Sequence, residues 1–337
     1  MGGNAILVTG GAGYIGSHVV RQLGERGENV VVLDDLSTGF AEAVLSGELV
    51  TGSTGDAPCL HRLLDKYEID TVMHFAAKTI VPESVADPLR YYGNNTCSSR
   101  TLLEACVQHG VMNFVFSSTA AVYGVPSGGI AAEDTPTNPI NPYGTSKLMT
   151  EMMLHDVANA HPMRFVALRY FNVAGCDPQG RIGQSTPKAT LLTKVACEAA
   201  VGKRDGVHIF GTDYDTPDGT GVRDYIHVED LADAHLRALD YLRGEGRSIT
   251  LNCGYGLGYS VREVIEAVER AAGVTLKKTE SPRRAGDPPK LIAAAEKIRS
   301  VLGWRPAYDS LDTIAESALR WERRLLEQPY RADEGAA

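Results

Sequence analysis

The sequence lacks several patterns that mark particular classes of protein. Its six cysteines form no CxxC pair and no metal-ligand spacing, so we expect reduced, mostly buried thiols in a cytoplasmic protein that binds no metal. No apolar stretch approaches the length of a membrane span, and the opening MGGNAILVTGG has neither a charged region nor a long apolar one. We therefore expect no signal peptide and no membrane segment. Internal repeats and low-complexity runs are missing as well.

Clusters of positive charge are also missing. The net charge is −9 at pH 7, and the acidic residues are dispersed along the chain. A surface for nucleic acid or for an anionic membrane is therefore not expected, although local basic residues can still bind phosphate. The 337 residues are enough for a substantial core in one large or two moderate domains.

Short apolar runs alternate with helical patterns in the first half of the chain. The predicted strands are 5–9, 30–34, 70–75, 113–117 and 164–170, and the predicted helices are 14–26, 59–67, 88–109 and 141–160. Because these strands are apolar almost throughout, both of their faces are expected to be covered by helices. The alternation predicts an α/β fold with a doubly wound, Rossmann-like parallel sheet.

The pattern changes after residue 172. Gly, Asp, Pro and Thr become frequent in 176–187 and 211–221, which indicates long functional loops. A strand at 249–253 and helices near 260–272 and 310–326 follow. We expect a first domain of residues 1–172 and a smaller C-terminal α/β domain of residues 173–337. The alternative is that part of residues 222–253 returns to the first domain.

A glycine-rich turn joins the first predicted strand to the first predicted helix. The segment GGAGYIG supplies Gly10, Gly11, Gly13 and Gly16, and the last three satisfy the spacing G-x-G-x-x-G. Glycines allow a tight turn and a close approach of the backbone to a pyrophosphate, and the helix N-terminus attracts the phosphates. Such a turn is weak evidence by itself, but its position between a strand and a helix predicts a dinucleotide site.

An acidic residue at the end of the second predicted strand indicates which dinucleotide binds. The carboxylate of Asp34 is placed to accept hydrogen bonds from the adenosine ribose hydroxyls. With Asp35 beside it, it would repel a 2′-phosphate, so NAD is favoured over NADP.

The segment NPYGTSKLM places a tyrosine one helical turn before a lysine. Asn141 suits the N-cap and Pro142 suits the first helical position, so that Tyr143 and Lys147 share one face. An ammonium at this spacing favours the phenolate, and we predict that it lowers the pKa of Tyr143. The chain has 14 tyrosines, so this spacing alone is not specific.

Hydroxyl side chains precede this helix. Ser117, Ser118 and Thr119 fall at the C-terminal end of a predicted strand, where ligands bind in open α/β sheets. The glycine turn, these hydroxyls and the Tyr-x-x-x-Lys pair, in this order, resemble the extended short-chain dehydrogenase/reductase family over essentially the whole chain. The resemblance implies that Tyr143 is the catalytic base, that Lys147 lowers its pKa and holds the nicotinamide ribose, and that Thr119 binds the reacting oxygen.

Further stretches narrow the resemblance to members of that family that epimerise UDP-hexoses. They are YIGSHVV, HFAAKTIVPES, YYGNNT, LRYFNVAG, DGTGVRDYIHVEDLADAH and PRRAGDPP. The resemblance implies that UDP-glucose and UDP-galactose are interconverted with NAD by transient oxidation at C4, rotation of the keto sugar and return of the hydride. It also implies a homodimer that pairs through the helices near 88–109 and 141–160, and a UDP-sugar-binding role for the C-terminal domain.

Further site residues follow from the resemblance by matched position. The implied cofactor contacts are Gly10, Gly13, Tyr14, Ile15, Gly16, Asp34, Phe75, Asn94, Lys147 and Tyr170, and the implied substrate contacts are Thr119, Tyr143, Asn172, Arg223, Arg284, Asp287 and Leu291. Two arginines suit bidentate recognition of a diphosphate, and a carboxylate suits a ribose diol. Phe75 is equally compatible with a core position, and Asp287 with a turn before Pro288. Leu291 falls where family members place a residue that lines the hexose pocket.

Several positions depart from the family pattern or leave alternatives open. Ser53 stands where an aspartate commonly contacts adenine, which leaves that role to Thr54, and Leu191 stands where a polar residue contacts uracil. A nucleotide-sugar dehydratase needs an acid and a base directly after the hydroxyl, but Ala120 and Ala121 occupy those positions. The remaining alternatives are an epimerase of UDP-N-acetylhexosamines or UDP-pentoses, and a catalytically silent NAD-binding regulator. A regulator would be expected to have lost the tyrosine or the lysine.

Overall fold

The computed structural model describes residues 5–186, 189–284 and 286–330. The two predicted domains and the predicted loop 176–187 therefore each include residues outside the described part of the chain. Within that part, no helix combines the length and the apolar character needed to cross a membrane.

The described elements are fourteen strands and eleven α-helices. The strands are β1 Ala5–Thr9, β2 Val30–Asp34, β3 Glu48–Thr51, β4 Ile69–His74, β5 Asn113–Ser117, β6 Ile130–Ala131, β7 Arg164–Tyr170, β8 Asn172–Ala174, β9 Val207–Phe210, β10 Val222–His227, β11 Ile249–Cys253, β12 Gly258–Ser260, β13 Lys278–Ser281 and β14 Lys290–Ala293. The helices are α1 Tyr14–Glu25, α2 Ala57–Tyr67, α3 Val81–Ala86, α4 Pro88–Tyr91, α5 Ser98–Gln108, α6 Pro142–Ala160, α7 Leu192–Ala200, α8 Val228–Arg243, α9 Val261–Ala272, α10 Glu296–Leu302 and α11 Leu311–Glu327.

A seven-stranded parallel sheet forms the centre of the molecule. Its strand order is β11-β7-β5-β4-β1-β2-β3. Successive side chains of a strand point to opposite faces, and both faces are apolar here: Ile6 packs into one buried cluster and Leu7 into the other. The prediction of a doubly wound α/β fold is confirmed.

The C-terminal half builds a second, smaller sheet in the order β12-β10-β14-β6, and β8 also pairs with β10. Strand β11 returns to the first sheet beside β7, whereas β10 does not. Strand β6 lies before residue 172 in the chain and pairs with β14 in the second sheet. Residues from both sides of position 172 thus enter both sheets, and the division at that residue stays a prediction.

The predicted helix 88–109 is divided into three segments. A π-helical stretch, Tyr92–Cys97, separates α4 from α5. Such a stretch changes the direction of the side chains that follow it. Asn94 lies on the wall of a cavity, while buried Asn95 donates to the Lys78 carbonyl at 3.0 Å and to the Ser146 hydroxyl at 3.0 Å. The predicted helical stretch is thus confirmed, and the π-helical segment inside it is a feature that the sequence pattern did not indicate.

Candidate active site

A cavity of about 540 Å³ lies at the carboxyl ends of the central strands. Fifteen of the seventeen implied cofactor and substrate contacts line it: Gly10, Gly13, Tyr14, Ile15, Gly16, Asp34, Phe75, Asn94, Thr119, Tyr143, Tyr170, Asn172, Arg223, Asp287 and Leu291. Lys147 and Arg284 are not among the lining residues. All the predicted cofactor and substrate residues except these two therefore line one cavity. The contacts of Lys147 and Arg284 with other residues explain why these two do not.

The glycine turn forms a cradle that has no room for side chains. Gly10 has a φ of +72°, and a Cβ atom on it would lie 2.5 Å from the Ala76 nitrogen. A Cβ atom on Gly16 would lie 2.3 Å from the Gly10 oxygen. No side chain caps helix α1 at Gly13, so the N–H groups of its first turn remain available to an anion. This geometry fits the pyrophosphate of a dinucleotide.

Asp34 is held at the edge of this cradle by two backbone amides. Its carboxylate accepts from the Ala12 and Leu36 nitrogens, each at 2.9 Å. Burial raises the pKa of Asp34, although both hydrogen bonds favour its charged form. Carboxylate oxygens have further lone pairs, so the side chain can still accept from ribose hydroxyls. Ser53 and Thr54 also line the cavity, so the stretch that departs from the family pattern lies at the site itself.

Tyr143 and Thr119 lie side by side at the cavity wall. Asn141 caps helix α6 as predicted, because its side chain accepts from the Gly144 nitrogen at 2.9 Å. Tyr143 follows in the first turn and is buried, with the Thr119 hydroxyl beside its phenol. Thr119 lies two residues after the end of β5, so the pair joins a strand end to a helix start.

Lys147 is buried behind this pair. Its ammonium donates to the Ser117 carbonyl at 2.8 Å and lies 4.9 Å from the centre of the Phe116 ring. Burial lowers the pKa of Lys147 to about 7, while the Glu151 carboxylate acts in the opposite direction. Bound to a carbonyl behind the wall, the ammonium is withdrawn from the cavity surface.

Lowering of the Tyr143 pKa by Lys147 is not seen in the chain by itself and stays a prediction. Burial raises the pKa of the Tyr143 phenol, and the neighbouring Tyr170 adds to this shift, whereas the Thr119 hydroxyl opposes it. Removal of both groups from water disfavours the phenolate and the ammonium alike. Desolvation therefore outweighs the helical spacing that suggested the pair.

Two aromatic residues complete the cofactor side of the cavity. Tyr170 ends β7, and its hydroxyl accepts from Ser117 Oγ at 2.9 Å. Phe75 follows β4 and packs against His235 with ring centres 4.7 Å apart. Phe75 therefore combines the two predicted alternatives, because one side lines the cavity and the other belongs to the core.

The opposite end of the cavity is built from the second sheet. Arg223 on β10 and Leu291 on β14 are partners in register, and Arg223 Nη1 donates to the Val222 carbonyl at 2.9 Å. Arg284 instead stacks on Phe210, with the guanidinium carbon 3.7 Å from the ring centre. Of the two arginines predicted to bind the diphosphate, Arg223 lines the cavity and Arg284 does not.

The remaining predicted substrate residues occupy the same end. Asn172 opens β8, hydrogen-bonds to the Tyr225 phenol and lines the cavity. Asp287 is exposed at its rim, and its nitrogen donates to the Arg284 carbonyl at 3.4 Å. A solvated carboxylate at the rim can bind a sugar diol as well as stabilise a turn, so both alternatives remain.

The sequence analysis missed several polar residues of the lining. They are Ser37, Thr38, Lys78, Gln184, Thr186 and Thr190. Gln184 Oε1 is buried and has no hydrogen-bond partner among the described residues, so it can accept a bond from a ligand. The polar composition of the predicted loop 176–187 was the signal that could have found Gln184 and Thr186. Leu191 lines the cavity too, as expected for a residue next to the nucleotide.

Comparison with known proteins shows similarity along nearly the whole chain. The profile of the NAD-dependent epimerase/dehydratase family matches residues 6–254. UDP-glucose 4-epimerase of Azospirillum brasilense is 58% identical over 321 residues, covering 95% of this chain and 92% of that protein. The structure of UDP-glucose 4-epimerase from Brucella ovis in complex with NAD has a TM-score of 0.91 and 44% identity, covering 94% of this chain and 98% of that one. The UDP-Glc/GlcNAc 4-epimerase of Campylobacter jejuni has a TM-score of 0.84 and 49% identity, covering 96% and 100%.

Proposed function

The chain belongs to the NAD-dependent epimerase/dehydratase family, and from this premise we propose that it interconverts UDP-glucose and UDP-galactose with NAD as its cofactor. The observation that carries the proposal is that Tyr143 and Thr119 line the same cavity as the glycine cradle. Arg223 lines the far end of that cavity, where a diphosphate would be recognised. The 58% identity with a UDP-glucose 4-epimerase supports the choice of substrates.

The residues of the cavity suit a reaction that leaves the cofactor unchanged overall. The glycine cradle and Asp34 would hold NAD, which would supply the acceptor and then the donor for the hydride at C4 of the hexose. Tyr143 removes the proton from the 4-hydroxyl and later restores it, and Thr119 hydrogen-bonds to the same oxygen. Burial of this pair keeps water from competing for the proton. The nucleotide must be held firmly by charged groups while the hexose is held loosely, because both epimers have to react.

The proposal is tested with purified protein and UDP-galactose, without added reductant. We expect the protein to purify with NAD(H) bound and to produce UDP-glucose, and the reverse reaction to occur from UDP-glucose. Released nucleotide is measured after denaturation, and a panel of other UDP-sugars identifies the preferred substrate. NAD-loaded protein that leaves both hexoses unchanged over long incubation would exclude the proposed activity.

Leu291 is predicted to restrict the hexose pocket to sugars without a 2-acetamido group. It is 7% exposed, lines the cavity and belongs to a small apolar cluster with Phe171 and Ala120. A leucine is smaller than tyrosine but offers no hydroxyl to an acetamide, so activity on UDP-N-acetylglucosamine should be weak at most. Relative to wild type, Leu291→Gly should raise the kcat/KM for the N-acetyl sugar compared with UDP-glucose, and Leu291→Tyr should lower it.

The adjacent residue provides a control for this comparison. Ile292 lies on the same strand and is 8% exposed, but it does not line the cavity. Ile292→Gly removes a similar apolar side chain and should leave the substrate ratio unchanged. Identical ratios in wild type and both Leu291 variants would show that this residue does not select the sugar. The relative from Campylobacter jejuni is described as acting on both sugars, which makes the comparison informative.

The proposed homodimer is supported by an exposed apolar patch on α3, α4 and α6. Leu89 is 78% exposed and Met152 is 60% exposed, and Val85 and Met149 extend the patch. Contiguous apolar surface of this kind is typical of self-association. The mass measured by light scattering should be twice that of one chain, and Met152→Glu should reduce it to one. A monomeric wild-type protein would contradict this assignment.

The thiol state supports the predicted location. All six cysteines are free, and five of them are buried. Proteins with unpaired thiols are typical of the reducing cytoplasm. We therefore infer a cytoplasmic enzyme.

A further inference from the structure

Helix α6 places a third functional group on the face that carries Tyr143 and Lys147. Glu151 follows Lys147 by four residues, so the three side chains lie one turn apart along the helix. Glu151 is only 2% exposed. Burying a carboxylate is costly unless it is paired and hydrogen-bonded, so its partners indicate what it does.

The first partner of Glu151 is Arg169 on β7. Arg169 Nε donates to Glu151 Oε1 at 3.0 Å, and Arg169 Nη2 donates to Oε2 at 2.6 Å. Arg169 is fixed in turn, because its Nη1 donates to the Tyr123 hydroxyl at 3.0 Å and that hydroxyl donates to Asn252 Oδ1 at 2.6 Å. The carboxylate therefore has a defined orientation, set by a network that reaches β11.

The second partner is the strand end that carries the catalytic hydroxyl. Ser118 Oγ donates to Glu151 Oε1. On one side of Ser118, the Ser117 carbonyl accepts from Lys147; on the other, the Thr119 hydroxyl lies beside the Tyr143 phenol. Glu151 thus fixes Ser118, and the two neighbours of Ser118 in the chain contact Lys147 and Tyr143.

Glu151 also supplies the negative charge that opposes desolvation of Lys147. Arg169, which is paired with Glu151, adds a positive charge nearby. The remaining titratable groups around this lysine are neutral near pH 7: burial and Lys147 itself lower the pKa of His74 to about 3, and burial raises the pKa of Tyr143 and of Tyr170. Burial lowers the pKa of Lys147 to about 7, with Glu151 acting against that shift. Loss of this carboxylate would lower the pKa of Lys147 further.

We propose that Glu151 is a positioning residue, whose carboxylate keeps Lys147 charged and fixes the strand end that carries Thr119. The inference rests on the proposed epimerase reaction, in which a positive charge beside the phenol favours its ionised form. Glu151 is not among the residues that line the cavity, so it acts through its neighbours and does not contact the substrate.

The first test is the pH dependence of kcat in the NAD-loaded enzyme. Activity should fall at high pH as Lys147 loses its proton. In Glu151→Gln this alkaline fall should move to lower pH by about one unit or more, since an opposite charge one turn away shifts a pKa by roughly one to three units. KM for the UDP-sugar should change little. Glu151→Asp keeps the charge and should restore most of the wild-type pH profile.

Two further variants separate electrostatics from structural damage. Arg169→Gln removes a positive charge and leaves Glu151 in place, so the alkaline fall should move to higher pH, opposite to the effect of Glu151→Gln. Glu322 provides a matched control, because it is 1% exposed and ion-paired with Lys194 away from the catalytic pair. Glu322→Gln should cost stability without moving the pH profile. Shifts of the same sign in the Glu151→Gln and Arg169→Gln variants would overturn the proposal.

A direct titration of Lys147 tests the same inference without using activity. In protein labelled with [ε-¹³C]lysine, the Lys147 signal is identified by its loss in Lys147→Met, and its pKa is read by NMR. We expect a lower pKa in Glu151→Gln than in wild type and a higher one in Arg169→Gln, so that either variant suffices if the other does not fold. Equal values in all the proteins would refute the role of Glu151. The predicted shifts in a protein that does not epimerise UDP-hexoses would refute the proposed function instead.

Discussion

Replacing Tyr143 by phenylalanine should lower kcat by at least about a hundredfold, the usual contribution of a positioned acid–base group. The aromatic ring is buried and would keep its packing, while the hydroxyl beside Thr119 would be lost. Because the phenol acts on the sugar, the affinity for UDP should barely change. The measurements are kcat with UDP-galactose and the Kd of UDP by calorimetry.

A second variant of the same pair provides the comparison. Thr119→Val keeps the shape of the side chain and removes its hydroxyl, so kcat should fall by less than in Tyr143→Phe. The threonine assists the reacting oxygen, whereas the tyrosine transfers the proton. If Tyr143→Phe retained near-normal turnover, the assignment of the base would be wrong.

Replacing Arg223 by alanine should weaken UDP binding by roughly ten- to a hundredfold. This corresponds to about 1.5–3 kcal/mol for a lost hydrogen bond to a charged group. Arg223 lines the far end of the cavity, and its strand is fixed in register against Leu291. NAD content should be unaffected, because the glycine cradle lies at the other end.

Arg284→Ala is predicted to weaken UDP binding as well, although this arginine stacks on Phe210 and does not line the cavity. Its neighbour Arg283 offers a matched control. Arg283 stacks on Tyr214 at 4.3 Å and forms an ion pair with Asp213 at 2.7 Å, and it too is outside the cavity lining. Arg283→Ala should therefore leave the Kd of UDP unchanged. Unchanged affinity in both Arg223→Ala and Arg284→Ala would remove these residues from the site.

Features that depend on neighbouring residues in the chain could be predicted from the sequence. The spacing of Gly10 and Gly16 predicted a crowded turn, and both positions exclude a Cβ atom. Asn141 caps helix α6 as its position before Pro142 indicated. Strand β3 was missed because it is a short edge strand with a half-exposed sequence, ELVT, that has no long apolar run.

Features that depend on burial could not be predicted in the same way. The helical spacing of Tyr143 and Lys147 was correct, yet burial by other strands and helices raises the pKa of the phenol, and the sequence gives no sign of this effect. Glu151 has the same four-residue spacing from Lys147, but nothing in the sequence links it to Arg169, which lies on another strand. The position of Arg284 likewise follows from its contact with Phe210 on β9.

The interleaved path of the chain has a mechanical consequence. The backbone leaves the first sheet for β6, returns for β7, leaves again for β8 and β10, returns for β11 and leaves once more for β12. Five chain crossings restrict the relative motion of the two sheets more than a single linker would, and cutting the chain at residue 172 would not free either half. We therefore expect a UDP-sugar to exchange by local rearrangement at the rim of the cavity, while the glycine turn that would hold the dinucleotide keeps its shape. With this architecture the protein would bind and release the UDP-sugar over many catalytic cycles while the cofactor stays bound.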